Sequence, residues 1–208
     1  IEYLANQNTI TFHMPTTTIA EPDHPDRFII DLDPPEDSVA IVRQAALATR
    51  ELLDEIGVPS TPLATGSKGY HLTAIISQTL TVSEVDELGQ AVAAVLSYRH
   101  PDVMTTEFRK ANRKGRVFCD WLRNRWGSTS VAPWSLRPRN SPTVAVPFGW
   151  ADLDKIAPDE FEIGNLPDQD LLALAAETPV DLIPALEALR EVVADTGVTI
   201  EPFDRFRS

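Results

Sequence analysis

Three segments of this sequence carry side chains that could do chemistry together. The first is Asp31-Leu32-Asp33. On a strand, residues two apart project to the same face, so both carboxylates point one way and Leu32 the other. Two carboxylates that close repel, and one is driven neutral unless a cation lies between them. Hard divalent ions bind such oxygens. An Asp-x-Asp is also common by chance and as a helix-capping pair, so the motif carries little alone. The second is Asp120, which follows the apolar run Val117-Phe118-Cys119 inside a basic stretch. It reads either as the partner of Arg123 or Arg116, or as a third metal ligand brought to Asp31 and Asp33 by strand pairing. Three carboxylates beside cations that can face phosphates are the parts of two-metal phosphoryl transfer.

The third is Thr65-Gly66-Ser67-Lys68-Gly69-Tyr70-His71. Glycines let a backbone approach a ligand, hydroxyls and amides donate, and Lys neutralises, which would make a phosphate cradle. The spacing is not that of a Walker A loop, and no helix follows directly. Taken alone, the segment reads more simply as a hairpin turn with an exposed Lys. His13 closes a first strand, and a lone His is more often structural than functional. Cys119, the single cysteine, reads as core rather than nucleophile. Trp121, Trp126, Trp134 and Trp150 could stack on bases, but such residues are more often anchors, and none is assigned a base.

Charge sharpens these readings. The 208-residue chain carries a net charge of −13, which by itself argues against a polyanionic partner. Yet Arg109, Lys110, Arg113, Lys114, Arg116, Arg123, Arg125, Arg137 and Arg139 fall within one stretch, half of the 18 basic residues, with Asp120 its one acid. A basic segment in an acidic body marks a localised anion site.

Several elements must position these groups. Asn8 to Met14 reads as a strand rich in β-branched and aromatic residues. A Pro- and Asp-bearing loop follows, and then a short apolar strand, Arg27 to Leu32, ended by Pro34-Pro35. The spacing of Val39, Val42, Ala46, Leu53 and Ile56 predicts a helix over about 37–56, closed by Gly57 and Pro59. Strands are expected at 61–64 and 70–76, and a second helix at about 82–98 with Thr81 and Glu84 as a capping box. Strands at 103–108 and 116–120 precede an irregular stretch, 121–139, and a short helix or turn at 149–156. Two tail helices are expected at about 169–177 and 182–196, after a weak boundary near Pro158. The class is α/β (α+β), and the order of strands and helices suggests a split βαβ arrangement. We expect one domain over 1–208, with a catalytic core at about 8–161 and an acidic helical tail at 162–208.

The chain lacks an apolar run long enough to span a bilayer. Its start lacks both the basic and the apolar regions of a signal peptide and has no initiator Met, which reads as a processed or trimmed chain. A single cysteine fits a reducing cytoplasm.

Taken in order, F-I-I-D-L-D-P, T-G-S-K-G-Y-H-L, R-K-G-R-V-F-C-D-W-L-R-N, V-A-P-W-S-L-R and V-P-F-G-W-A-D-L resemble a known family. It is the polymerase domain of bacterial ATP-dependent DNA ligase D, of the archaeo-eukaryotic primase superfamily. The likeness covers about Asn8 to Phe161. It implies a primase-like catalytic core of mixed sheets flanked by helices, and nucleotide addition at broken DNA ends in non-homologous end joining. Asp31, Asp33 and Asp120 would match the metal-binding catalytic triad, holding two ions, manganese or magnesium. Thr65, Ser67, Lys68 and His71 would match the segment that holds the nucleotide's triphosphate and sugar. His13 would match a histidine near that sugar, Arg123 an arginine near the centre, and Lys110, Arg113 and Arg137 basic positions facing phosphates. The implied partners are primer-template DNA ends, ribo- or deoxyribonucleotides, the Ku protein and a ligase module, at the nucleoid of a bacterial cytoplasm and without a membrane. The family domain normally carries an N-terminal region before the position of Ile1, and the tail after Asp159 fits it poorly. No nucleotidyl-lysine motif of a ligase is present.

The leading expectation is therefore template-directed addition of nucleotides to a primer 3′-hydroxyl. The alternatives are a DNA-end or nucleotide-binding module without turnover, a primase that starts chains unprimed, and a hydrolase or signalling nucleotidyltransferase built on the same carboxylates.

Overall fold

The computed structural model describes residues 2–35, 38–139, 141–167, 178–201 and 203. Its centre is a six-stranded sheet in the order β10-β3-β4-β2-β6-β5. The strands are β2 (Arg27–Asp33), β3 (Thr61–Ala64), β4 (Tyr70–Ile75), β5 (Met104–Thr105), β6 (Val117–Asp120) and β10 (Val146–Pro147). Neighbours run antiparallel except β5 and β6, which are parallel. Two ribbons lie outside this sheet: β1 (His13–Met14) with β7 (Ser130–Val131), and β8 (Leu136–Arg137) with β9 (Thr143–Val144). The helices are α1 (Glu2–Asn6), α2 (Val39–Glu55), α3 (Val82–Arg99) and α4 (Ile183–Thr196).

The expected split βαβ order is present as β2-α2-β3-β4-α3-β5, with β6 inserted between β2 and β5. Strand alternation sorts the sheet into two faces. Phe28, Ile30 and Leu32 on β2, with Leu72 and Ala74 on β4, are fully buried. They share one core with Val42, Ala46, Leu52 and Leu53 of α2 and Val85, Leu88, Val92 and Leu96 of α3. Each such large apolar side chain contributes about 1.5–3 kcal/mol on burial. The intervening residues Ile29, Asp31, Asp33, His71 and Thr73 face the other way and line clefts. Leu182, Ala185, Leu189 and Val192 of the tail join the same core.

Local signals held well at the helix ends. Thr81 and Glu84 form both bonds of the capping box. Gly57 takes φ 76° past α2, a left-handed conformation that suits glycine. The expected 8–14 strand is reduced to two residues. Phe12 N instead donates to the Ser135 side chain, to Oγ at 2.6 Å, and the Thr11 hydroxyl donates to Leu136 O of β8 at 2.7 Å, side-chain bonds rather than a ladder. The 103–108 strand also stops early. The carbonyls of Glu107 and Phe108 are taken by Arg113 Nε at 3.2 Å and Nη2 at 3.0 Å. The stretch 121–139, expected to be irregular, contains β7 and β8, and β9 and β10 were not anticipated. The expected helix at 169–177 lies outside the described residues.

Candidate active site

Register brings the site together. Asp31 pairs with His71 on one side and with Asp120 on the other. Residues directly opposed across a ladder share a face about 4.5–5.5 Å apart. Asp33 lies two residues further along the same face, opposite Phe118. The three acids expected to act together therefore stand on one face of β2 and β6, opposite the face that packs on α2 and α3.

Guanidinium groups answer their charge. Arg123 Nε lies 3.0 Å from Asp31 Oδ2, and its Nη2 lies 3.2 Å from Asp120 Oδ2. His71 Nε2 stands 3.5 Å from the same Asp31 oxygen. Arg113 Nη1 reaches Asp33 Oδ2 at 2.7 Å, and its guanidinium carbon sits 4.3 Å from the centre of the Phe118 ring. Burial works to raise the Asp31 carboxyl, but His71 and Arg123 outweigh it and hold that group well below the usual carboxylate range. Asp120 goes the other way: burial, then the Asp31 charge, push it up to about 6. The Arg123 charge between the two offsets only part of the burial and of the repulsion from Asp31 that Asp120 meets.

Among the described residues, no group of three His, Cys, Asp or Glu side chains is gathered as a formed metal centre. The donor chemistry nevertheless fits a hard divalent cation, because carboxylates from adjacent strands share one face and Arg123 already supplies a positive charge where their oxygens meet.

Beside the acids opens a cleft of about 320 Å³. Its lining includes His13, Asp31, Asp33, Thr65, Ser67, Lys68, His71, Lys110, Arg123 and Arg137. Ten of the twelve residues singled out from the sequence thus meet around one space. The other two lie against it: Asp120 through Arg123, and Arg113, itself buried, through Asp33. Arg139, Thr129 and Ser130 also line the cleft. Arg139 could have been found in the basic run, whereas nothing in the sequence singled out the two hydroxyls.

The 65–69 turn is built as a rigid wall. Thr65 donates to Gly69 O through its amide at 3.3 Å and its hydroxyl at 2.7 Å, so that hydroxyl serves the turn itself. Thr143 Oγ1 donates to Gly66 O at 2.6 Å. Gly66 has φ 65°. A Cβ on Gly69 would lie 1.9 Å from Leu32 O, so only glycine lets the turn lie against the strand that carries the acids. Arg139 donates to Ser67 Oγ at the tip. Burial and then the neighbouring Arg139 depress the Arg137 guanidinium, and burial with Arg137, Arg123 and His71 lowers the His13 imidazole. This end of the cleft is overloaded with positive charge, the electrostatic condition for binding a polyanion.

A further residue holds the floor in place. Asn124, fully buried, accepts from Ile29 N at 2.9 Å and donates to Ile29 O at 2.7 Å. Its side-chain amide continues the β2 ladder where β6 has ended, two residues before Asp31. The sequence showed no sign of this role.

Comparison with known proteins places these features in context. The chain matches the family described as LigD, primase-polymerase domain, over residues 1–173. It is 35% identical over 218 residues to the multifunctional non-homologous end joining protein LigD of Mycobacterium bovis, covering 97% of this chain and 28% of that protein. It is 33% identical over 170 residues to the bifunctional non-homologous end joining protein LigD of Bacillus subtilis, covering 80% of this chain and 28% of that protein. The chain thus spans little more than a quarter of the length of these relatives. Among solved structures it resembles the polymerase domain of Mycobacterium tuberculosis ligase D in complex with DNA. The TM-score is 0.68 at 30% identity, over 93% of this chain and 63% of that one. The similarity reaches beyond the expected limit at Phe161 and takes in most of the tail.

Proposed function

The chain belongs to the LigD primase-polymerase domain family, whose members are nucleotidyltransferases, and from that premise we propose that it adds nucleotides to a primer 3′-hydroxyl at broken DNA ends. The observation that carries this reading is the meeting of Asp31, Asp33 and Asp120 on one sheet face beside a cation-lined cleft. We read residues 1–208 as a single primase-like domain, since tail residues share the core of the sheet.

Asp31, Asp33 and Asp120 would hold divalent cations, manganese or magnesium and two in number. When bound, such ions lower the pKa of an attacking hydroxyl and offset charge on the reacting phosphate. The chain's own groups do the rest. Ser67, Lys68, Arg137 and Arg139 hold the triphosphate by charge-assisted hydrogen bonds. His71 and His13 face the sugar, with the His13 imidazole lowered by burial and then by its cationic neighbours. Lys110 extends the basic lining towards the nucleic acid backbone. The attack expels pyrophosphate, whose charge the same cations stabilise.

Partners in this reading are DNA ends, ribo- or deoxyribonucleoside triphosphates, Ku and a ligase module, in a bacterial cytoplasm. Among the described residues, no helix is long and apolar enough to cross a membrane.

Primer extension tests the reading. The chain is mixed with a labelled primer on a templated overhang, manganese, and each ribo- or deoxyribonucleotide in turn. Templated extension that disappears in Asp31→Ala supports it. Nucleotide binding without extension would replace it with a binding module of the same fold.

A further inference from the structure

We propose that Arg123 is a built-in counter-cation that competes with the divalent ion for Asp31 and Asp120, and so sets the concentration at which that ion binds. This rests on the reading that these two acids hold a cation.

The geometry names the contested atoms. Asp120 Oδ1 accepts the Leu122 amide at 2.9 Å, which leaves Oδ2 facing the site. Oδ2 is where Arg123 Nη2 sits, at 3.2 Å. The facing oxygen of Asp31, also Oδ2, takes Arg123 Nε at 3.0 Å. A cation held by both acids would have to share these oxygens with the guanidinium, and two positive charges that close repel.

Arg123 is also built to leave. Its backbone is fixed, because the 3-10 turn Leu122–Asn124 is pinned to Ile29 through Asn124. Its side chain is far less enclosed than that of Arg113: 38% of it is exposed, against 4%. Apart from the two acids, its hydrogen-bond contact among the described residues is a long one, Nη1 to Thr129 O at 3.4 Å. Thr129 lines the cleft, so a guanidinium that lets go of the acids remains beside the space that the cations Lys68, Arg137 and Arg139 surround. A binding-competent state populated about a tenth of the time weakens apparent affinity about tenfold.

Mn2+ titration of the metal-stripped chain by calorimetry, without nucleotide or DNA, tests the proposal. Arg123→Gln should bind Mn2+ about tenfold more tightly than the wild type, since the competitor is gone while every carboxylate remains. Thermal melting supplies the opposite sign. In EDTA the variant should melt below the wild type, having lost the charge between its acids, and Mn2+ should erase or reverse that order. If the variant is unfolded in EDTA, refolding on addition of Mn2+ supports the proposal, and no recovery overturns it. Equal or weaker Mn2+ binding by Arg123→Gln overturns it while leaving the metal reading intact. An absence of Mn2+ binding in both proteins, or wild-type binding that survives Asp120→Asn, overturns the metal reading and this proposal together.

Discussion

Asp31 stands directly opposite Asp120 across the β2–β6 ladder, and the guanidinium of Arg123 bonds to both. Two acids facing one another, Asp120 buried and Asp31 largely so, are an arrangement that costs stability unless positive charge lies between them. It persists here as part of a larger constellation, with His71 opposite Asp31 on the other side and Asp33 on the same face.

Replacing either acid of this pair should end turnover without unfolding the chain. Asp31→Asn and Asp120→Asn keep side-chain shape and remove a charge. We expect loss of primer extension by about 10³-fold or more, as for other groups that hold charge at a reacting centre. Near-wild-type extension with unchanged circular dichroism would take that residue out of the catalytic set.

Arg137 and Arg139 should act on the nucleotide rather than on the chemistry. Arg137→Ala removes one of several cations around the phosphate end of the cleft. The Michaelis constant for the nucleotide should rise about tenfold or more, in line with about 1.5–3 kcal/mol for a hydrogen bond to a charged group. An unchanged Michaelis constant would place Arg137 outside the nucleotide site.

The pH dependence of stability follows from Asp120. Its folded carboxyl is raised to about 6, so between its unfolded value and about 6 the native state binds the extra proton. Stability from this group is therefore present at low pH and falls as pH rises through that window. Asp120→Asn cannot ionise, so its stability relative to the wild type should improve from pH 4 to pH 7, by up to about 3 kcal/mol. Urea titrations of both proteins without metal, at each pH, check this. A constant difference would mean that Asp120 is not raised.

Asn124→Ala should be costly although the residue touches no acid in the site. It strands the buried N–H and C=O of Ile29, for a loss of about 2–5 kcal/mol. Chemical denaturation measures it, and a change below about 0.5 kcal/mol would show that water replaces the amide.

Gly69→Ala tests the wall of the cleft. The added methyl would press on Leu32 O, which is backbone and cannot step aside. We expect a stability loss of several kcal/mol, or insoluble protein, whereas Gly127→Ala at a turn with open space should cost about 1 kcal/mol from its positive φ. Equal and small effects at both positions would refute the close approach of the 65–69 turn to β2.

Much of this site could be read along the chain because its signals are local. The Asp31-Leu32-Asp33 spacing shows both carboxylates on one face whatever the sheet around them, since the strand period alone decides it. The concentration of Arg and Lys between Arg109 and Arg139 marks an anion site by composition. The Thr81–Glu84 box and Gly57 mark helix ends through bonds that span only a few residues.

Pairings between distant segments could not be read in that way. Strand lengths were overestimated at 8–14 and 103–108, because loop side chains and Arg113 claimed hydrogen bonds that a ladder would have used. Asn124 looks like any loop amide until β6 ends beside Ile29.

The sequence by itself determined which residues carry the charge, that two acids share a strand face, and which family the chain resembles. Only the tertiary structure decided that Asp120 faces Asp31 rather than Ile30, that Arg123 lies between them, and that Arg113 is held on Asp33. The physical reason is register. A shift of one residue between β2 and β6 would turn Asp120 to the opposite face, and the burial of Val117 and Cys119 in the core that Phe28, Ile30 and Leu32 share is what forbids that shift.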